Sequence, residues 1–325
     1  MTIKQLLRVY SRPNVAAKRP KSIKELPTRV QALVEASLAD NTHRAYEGAI
    51  RAFAAWCKNR NYQARPADPA TVAEYLSDLI AAGRRGACVK AHACAIGHDH
   101  RRAGVGNPID TYLVRAVIRG SMRLRGSYVD QKLAIDMKVI DLILSNVPRT
   151  LKGIRDRALI TLGFAGAFRR AELVALRVED LAFSAEGVVV QIRKSKTDIE
   201  SKGTEIGIPN GQHLKPVDAL QEWITAAKIT KGPIFRPVYR NRVVSRSVLP
   251  VLVSSVLKGY LAKANFDPNL YGAHSLRAGF ITSAAEVGVS LDRIMDHSRH
   301  TDRNTVRRYV RRASLFRDHP GKDFL

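Results

Sequence analysis

The chain has 325 residues, 45% of them hydrophobic, and carries 54 Lys and Arg against 29 Asp and Glu, a formal net charge of +25. That length suffices for two domains with separate cores, and that apolar content excludes a disordered basic tail. A positive excess of this size, spread along the chain, points to a polyanionic partner, nucleic acid before any other.

Three cysteines (Cys57, Cys88, Cys94) are too few for a disulfide framework in a chain of this length. The longest nearly apolar run, 158–168, is eleven residues, whereas a bilayer span needs about 20. Residues 1–24 lack the apolar stretch of a leader peptide. The expectation is a soluble, cytoplasmic, nucleoid-associated protein with no membrane segment.

Residues 1–27 hold seven Lys/Arg and one Glu without periodicity and read as a basic N-terminal arm. A helical domain over 28–125 follows, with four to five helices. Asp40, Asn41 and Thr42 offer caps to a first helix in which Tyr46, Ile50 and Phe53 face inward. Pro66 and Pro69 open a second, with Val72, Tyr75, Leu76 and Leu79 inward and Gly83 at its end. A third spans about 87–103. A fourth spans about 110–125 and buries Leu113, Val114, Val117 and Ile118. Arg115, Arg119 and Arg123 fall on one stripe of the fourth, and Arg44, Arg51 and Lys58 recur every seven residues on the first. Both stripes suit phosphate contacts, although a solvated face has the same pattern.

Residues 126–132 read as a linker to a second domain, 133–325. Ile140, Ile143 and Leu144 share a helical face that Pro148 ends. A helix over 154–163 is expected to break at Gly163 and Gly166. The next starts at Arg169, with Ala171, Val174 and Ala175 as small packing residues. The period then changes: 181–183, 188–192 and 204–208 form a small antiparallel sheet, with a polar turn at 194–202. Helical patterns return from Val217 to the end. The fold class is mainly α with one small antiparallel sheet.

Chemistry-bearing residues cluster in this second domain. Gly166-Ala-Phe-Arg169-Arg-Ala-Glu172-Leu173, Ser195-Lys196-Thr197, His274-Ser-Leu-Arg277, His300 and Tyr309 follow one another in that order. Guanidinium forks match the charged oxygens of a phosphodiester, and a tyrosine can attack phosphorus and keep the product covalently. Each motif alone is weak: a His-x-x-Arg pair is commonly a surface pair, and a lone turn lysine is commonly solvated. Together, in order, they resemble the tyrosine recombinase (phage integrase) family. Segments 54–58 and 100–104 resemble its Cre-like members. Two departures stand out. Arg299 precedes His300 where many relatives carry glycine, and His300 stands where Cre-like enzymes carry tryptophan.

The resemblance implies an N-terminal core-binding domain and a C-terminal catalytic domain with a tail, closing on DNA as a C-shaped clamp. It implies Tyr309 as nucleophile, giving a 3′-phosphotyrosyl bond and a free 5′-hydroxyl. Arg169 and Arg277 would clamp the non-bridging oxygens, and Lys196 would be general acid for the leaving oxygen. His274 would assist proton movement, His300 would bond a phosphate oxygen, and Glu172 would hold the site in shape. Arg307 and Arg308, with Arg303, Arg311 and Arg312, would lay the tyrosine helix against DNA. No cofactor or metal is implied. The implied partners are double-stranded DNA with inverted half-sites and accessory DNA-bending proteins. The chain itself would be a monomer or dimer off DNA and a homotetramer in the synapse, exchanging strands through a Holliday junction to integrate or excise a mobile element or to resolve dimers. The tail after Tyr309 would dock on a neighbouring protomer or on its own domain.

Two other activities fit parts of the pattern: a type IB topoisomerase-like relaxing enzyme and a catalytically silent DNA-binding regulator. A metal site is not expected from Cys88, His92, Cys94, His98 and His100, because on one helix Cys88 and His92 face away from Cys94 and His98.

Overall fold

The computed structural model describes residue 23 and residues 26–125, 132–193 and 203–313. The chain divides into two compact units, Met1–Val129 and Asp130–Leu325. The basic arm up to residue 22, most of the linker, the 194–202 turn and the tail after 313 lie outside the described residues.

In the first unit, α1 (Thr28–Ala36) precedes α2 (Asp40–Asn59), α3 (Pro69–Ala81), α4 (Gly86–Ala103) and α5 (Tyr112–Arg125). Ala39, not a polar residue, sits at the N-cap of α2, and among the described residues no side chain caps that end. For α3 the cap is Asp68, whose carboxylate accepts from the Ala70 amide, with Pro69 in the first turn, where a missing N–H costs nothing. Gly104 closes α4 at φ 72°, a conformation glycine adopts without a Cβ penalty.

The core joins Phe53, Val72, Tyr75, Leu76, Val89, Ala93, Ile96 and Val114. Leu113 departs from expectation: it is 46% exposed, because Val114, Val117 and Ile118 fill the inward stripe of α5. Trp56 Nε1 donates to Asp78, and Arg60 both pairs with Asp78 and stacks over the indole.

The histidines of α4 are occupied locally. His100 donates from Nδ1 to the Ile96 carbonyl and accepts the Ala67 amide at Nε2. His92 meets the Tyr75 hydroxyl, and His98 packs on Tyr46. Burial foremost pushes Tyr75 up to about 12.

The second unit runs α6 (Met137–Ser145), α7 (Leu151–Ala165), α8 (Arg170–Ala175), β1 (Leu181–Phe183), β2 (Gly187–Ile192), β3 (Thr204–Pro209), α9 (Pro216–Ala226), β4 (Val238–Tyr239), β5 (Arg242–Val243), α10 (Val251–Lys263), α11 (His274–Glu286), α12 (Leu291–Ser298) and α13 (Arg303–Ala313). Strands β1–β3 form an antiparallel meander in sequence order, with Val190 opposite Leu181 on one side and Ile206 on the other. Val188, Val190, Ile192, Ile206 and Ile208 turn inward, while Val189 stays exposed, the alternation a one-sided sheet requires.

Three expectations are corrected here. Gly163 does not break α7; a Cβ there would lie 3.0 Å from Leu173 and 3.1 Å from Leu276, so glycine lets α8 and α11 approach. In α8, Glu172, Leu173 and Val174 are buried, whereas Ala171 and Ala175 face outward. A hairpin of β4 and β5 interrupts the helical C-terminal half, turned by Arg240 and Asn241 at φ 46° and 60°. Two consecutive positive φ values match the twist of a two-residue hairpin loop.

Trp223 is fully buried at the centre of this unit, and its indole donates to the Ile234 carbonyl at 2.9 Å. Trp223→Ala is expected to cost about 3–5 kcal/mol by cavity formation, read by urea unfolding.

Candidate active site

The loop from α7 to α8 builds the first half of the site. Gly166 caps α7, and Ala167, fully buried, turns the chain at φ 44°. Arg169 then precedes α8. Glu172, one turn on, accepts the Arg169 amide at 3.0 Å and its guanidinium at 2.6 Å. One carboxylate thus closes the helix end and fixes the arginine's direction.

Helix α11 supplies the second half. His274 is its first residue and is exposed; Arg277, one turn later, is 3% exposed. The helix is pinned by the 133–135 segment: Ile135 donates to the Ser275 carbonyl, and a Cβ on Gly279 would stand 1.9 Å from the Ile135 carbonyl oxygen. Only glycine admits that approach. Arg277 donates to the Ala167 carbonyl at 2.7 Å, and its other nitrogen reaches the His300 ring at 3.1–3.2 Å.

The turn between α12 and α13 completes the cluster. Ser298 donates to the Ile294 carbonyl at 2.6 Å and lies 2.8 Å from His300 Nδ1. A serine hydroxyl has one proton, so it accepts from Nδ1–H, which leaves Nε2 as the acceptor facing Arg277. Arg299 follows at φ 57° and ψ 46°. Asp302 caps α13 by accepting from the Asn304 amide and the Thr305 hydroxyl. Tyr309, half-buried, packs its ring against the Ile281, Ala285, Ile294 and Val306 cluster. Its helix α13 packs on α11, the helix that carries Arg277.

The electrostatics are those of an anion site. Burial, then the charges of Arg169 and Arg299, draw Arg277 down to about 9, opposed by Glu172 and Tyr309. Among the described residues no carboxylate pairs with Arg277. Burial would raise Glu172, but the Arg169 amide and guanidinium and the Arg299 charge outweigh it and hold the carboxyl below its usual range. Glu172→Ala leaves two guanidiniums beside a vacated pocket and is expected to cost about 3–5 kcal/mol in denaturant unfolding.

Burial, then Arg277, Arg169, Arg299 and His274, lower His300 from 6.5 to about 4. The unfolded chain therefore binds a proton between those two values that the folded chain refuses. Stability should fall as pH drops through that window and be free of this cost above it. DNA-free wild type should accordingly lose melting temperature more steeply across that range than His300→Gln. Equal slopes would contradict the assignment.

Arg169, Glu172, Arg277, His300 and Tyr309 are thus gathered in one region of the second unit, with His274 one turn before Arg277. Lys196 lies outside the described residues. Arg44, Arg51, Lys58, Arg115, Arg119, Arg123, Arg307 and Arg308 are all exposed on their helices. Arg115 pairs with Asp110, and Arg119 stacks over Tyr112. Sequence reasoning missed Ser298 and His297; the latter donates to the Ala165 carbonyl at 2.7 Å and stacks on Phe280. Nothing in their spacing signals these partners, because a carbonyl acceptor leaves no mark on residue type.

The family model described as "Phage integrase family" matches residues 134–314. The chain is similar to an integrase/recombinase XerD homolog of Selenomonas ruminantium, 36% identical over 90% of this chain and 88% of that protein. It is also 27% identical to the recombinase Cre of Escherichia phage P1, over 85% of each. Among solved structures, the Tn1549 transposon integrase bound to transposon right end DNA shares the fold at 15% identity, with a TM-score of 0.59 over 88% of this chain and 96% of that one. A lambda integrase dimer bound to a core site aligns at 17% identity and a TM-score of 0.56, over 86% and 74%. With a family match across more than half its length and these relatives along most of the rest, the chain belongs to the phage integrase family of tyrosine recombinases, DNA-binding enzymes that cut and rejoin strands at specific sites through a phosphotyrosyl intermediate.

Proposed function

We propose that this recombinase integrates or excises a mobile element, and that its strand cleavage is carried by Tyr309, Arg169, Arg277, His274, His300 and Lys196. The observation that carries the reading is Arg277: buried, without a carboxylate partner among the described residues, bonded to the Ala167 carbonyl and the His300 ring, and repelled by Arg169 and Arg299. A cation held at such cost is relieved by an incoming phosphate.

In this reading Tyr309 attacks the scissile phosphorus. The phosphorus–tyrosyl oxygen bond forms as the bond to the 5′-oxygen breaks, and Lys196 protonates that departing oxygen. Arg169 and Arg277 take up the charge on the non-bridging oxygens. His274 accepts the phenolic proton. His300 accepts a hydrogen bond from Arg277 in the free enzyme; when the phosphate binds, Nε2 takes up a proton from solvent and donates it in a hydrogen bond to a phosphate oxygen, a change favoured by the raised basicity of imidazole beside an anion. Glu172 holds Arg169 in line. The phosphodiester energy stays in the covalent link, so rejoining requires neither cofactor nor metal.

The first unit acts as the core-binding domain and the second as the catalytic domain. Arg44, Arg51 and Lys58 on α2, Arg115, Arg119 and Arg123 on α5, and Arg307 and Arg308 on α13 contact phosphates. Such contacts fix register and carry no base information by themselves. Two protomers bind inverted half-sites, four form the synapse, and strands exchange in pairs through a Holliday junction. Among the described residues no helix is long and apolar enough to cross a membrane.

Footprinting on DNA flanking the gene, followed by recombination of a plasmid carrying two mapped sites, tests the reading. Direct repeats should yield two circles and inverted repeats an inversion. Relaxation of a plasmid lacking the site, with no exchange, would instead favour a topoisomerase activity.

A further inference from the structure

Arg299 breaks several local rules at once. It is a non-glycine residue in the left-handed region at φ 57°, it is 8% exposed, and its Nε has no hydrogen-bond partner among the described residues. A side chain kept in that state beside a reactive cluster suggests a functional demand on the position. Its contacts indicate which demand.

The guanidinium lies over the Phe168 ring at 5.3 Å and donates to the carbonyls of Gly166 and Ala167 at 3.0 Å, to Glu172 at 3.2 Å and to the His297 carbonyl at 2.7 Å. Its own carbonyl accepts from Arg169 at 3.0 Å. It therefore reaches both arginines of the proposed phosphate clamp, Arg169 directly and Arg277 indirectly. It meets Arg169 through the other oxygen of Glu172 and through its own backbone. It meets Arg277 through the Ala167 carbonyl, which the two side chains share. It also immediately precedes His300.

We infer that Arg299 is a positioning residue, a buried guanidinium that rivets the α12–α13 turn to the α7–α8 loop and so sets the spacing of Arg169, Arg277 and His300 around the scissile phosphate. Its charge points into the protein, toward carbonyls, Glu172 and the Phe168 face. It does not itself bind the phosphate. The inference rests on the proposed roles of Arg169 and Arg277.

The test compares wild type, Arg299→Gly and Arg299→Lys in single-turnover adduct formation. The DNA is a nicked duplex carrying the footprinted site, with a phosphate or a methylphosphonate at the scissile position. Glycine suits the backbone there, so the turn should survive; melting temperature and DNA affinity are measured alongside. Arg299→Gly should retain DNA affinity yet cleave the phosphate roughly 100-fold more slowly, as for an active group displaced by about 1 Å. Arg299→Lys, reaching fewer acceptors, should recover part of the rate. On the methylphosphonate, which asks less of the clamp, the gap between wild type and variant should shrink several-fold. A merely structural defect would leave the gap equal on both substrates.

A wild-type rate in Arg299→Gly overturns the inference, as does an undiminished gap on the methylphosphonate. If Arg299→Gly fails to fold, Arg299→Lys decides by the same comparison. Absence of adducts in wild type would count against the proposed function instead.

Discussion

Tyr309→Phe is expected to abolish covalent DNA adducts, a loss of about 10⁴-fold or more for removal of a nucleophile, while DNA binding is retained. The side chain has two parts with separate duties. Its ring packs on Ile281, Ala285, Ile294 and Val306, and phenylalanine reproduces those contacts. Its hydroxyl is what phenylalanine lacks. Circular dichroism and melting temperature should therefore stay near wild type, which separates lost chemistry from lost folding. Gel electrophoresis of denatured protein with a labelled nicked duplex reads the result. Adducts surviving in Tyr309→Phe would place the nucleophile elsewhere.

Arg277→Met carries the second large effect. One preorganised charged donor at a transition state is worth about 10²–10³ in rate, so adduct formation should fall by that much. Stability should move the other way. Arg277 is buried and drawn down to about 9 by that burial and by Arg169 and Arg299. In the unfolded chain that charge is hydrated, so the folded state bears the cost of keeping it buried. Methionine keeps much of the apolar stem, and the Ala167 carbonyl keeps Arg299 as a donor. The melting temperature should hold or rise while activity drops. Arg277→Lys, keeping charge but losing the fork, should fall between. A destabilised Arg277→Met protein with normal cleavage would reverse both expectations.

Much of the fold is legible in the sequence where one face of an element is apolar over several turns. Ile140, Ile143 and Leu144 declare α6, and Val188, Val190 and Ile192 declare β2 by alternation. Legibility fails where that contrast is missing. Helix α1 buries none of its residues, so its start is not marked by periodicity. Strands β4 and β5 are two residues each, too short to alternate, and only the Arg240–Asn241 turn defines them. Gly163 looks like a break yet serves helix packing.

The site divides along the same line. The side chains proposed to do the chemistry stand in ordered motifs, and the resemblance singles them out. What holds them is backbone: the Ala165 carbonyl receives His297, that of Gly166 receives Arg299, that of Ala167 receives both Arg277 and Arg299, and that of Arg299 receives Arg169. Carbonyls are common to every residue, so their placement is set by the turn at Ala167 and the left-handed Arg299 and is not encoded in residue type. Sequence marks Arg299 only as a departure from glycine.

Mass spectrometry of the trapped adduct tests the central claim most directly. Wild type is incubated with a nicked duplex bearing its footprinted site, digested with protease and nuclease, and the nucleotide-modified peptide is sequenced. The modification should sit on Tyr309, joined to a 3′-phosphate, with a free 5′-hydroxyl on the released strand. A nucleotide on any other residue, or a 5′-phosphate linkage, would contradict the site described above.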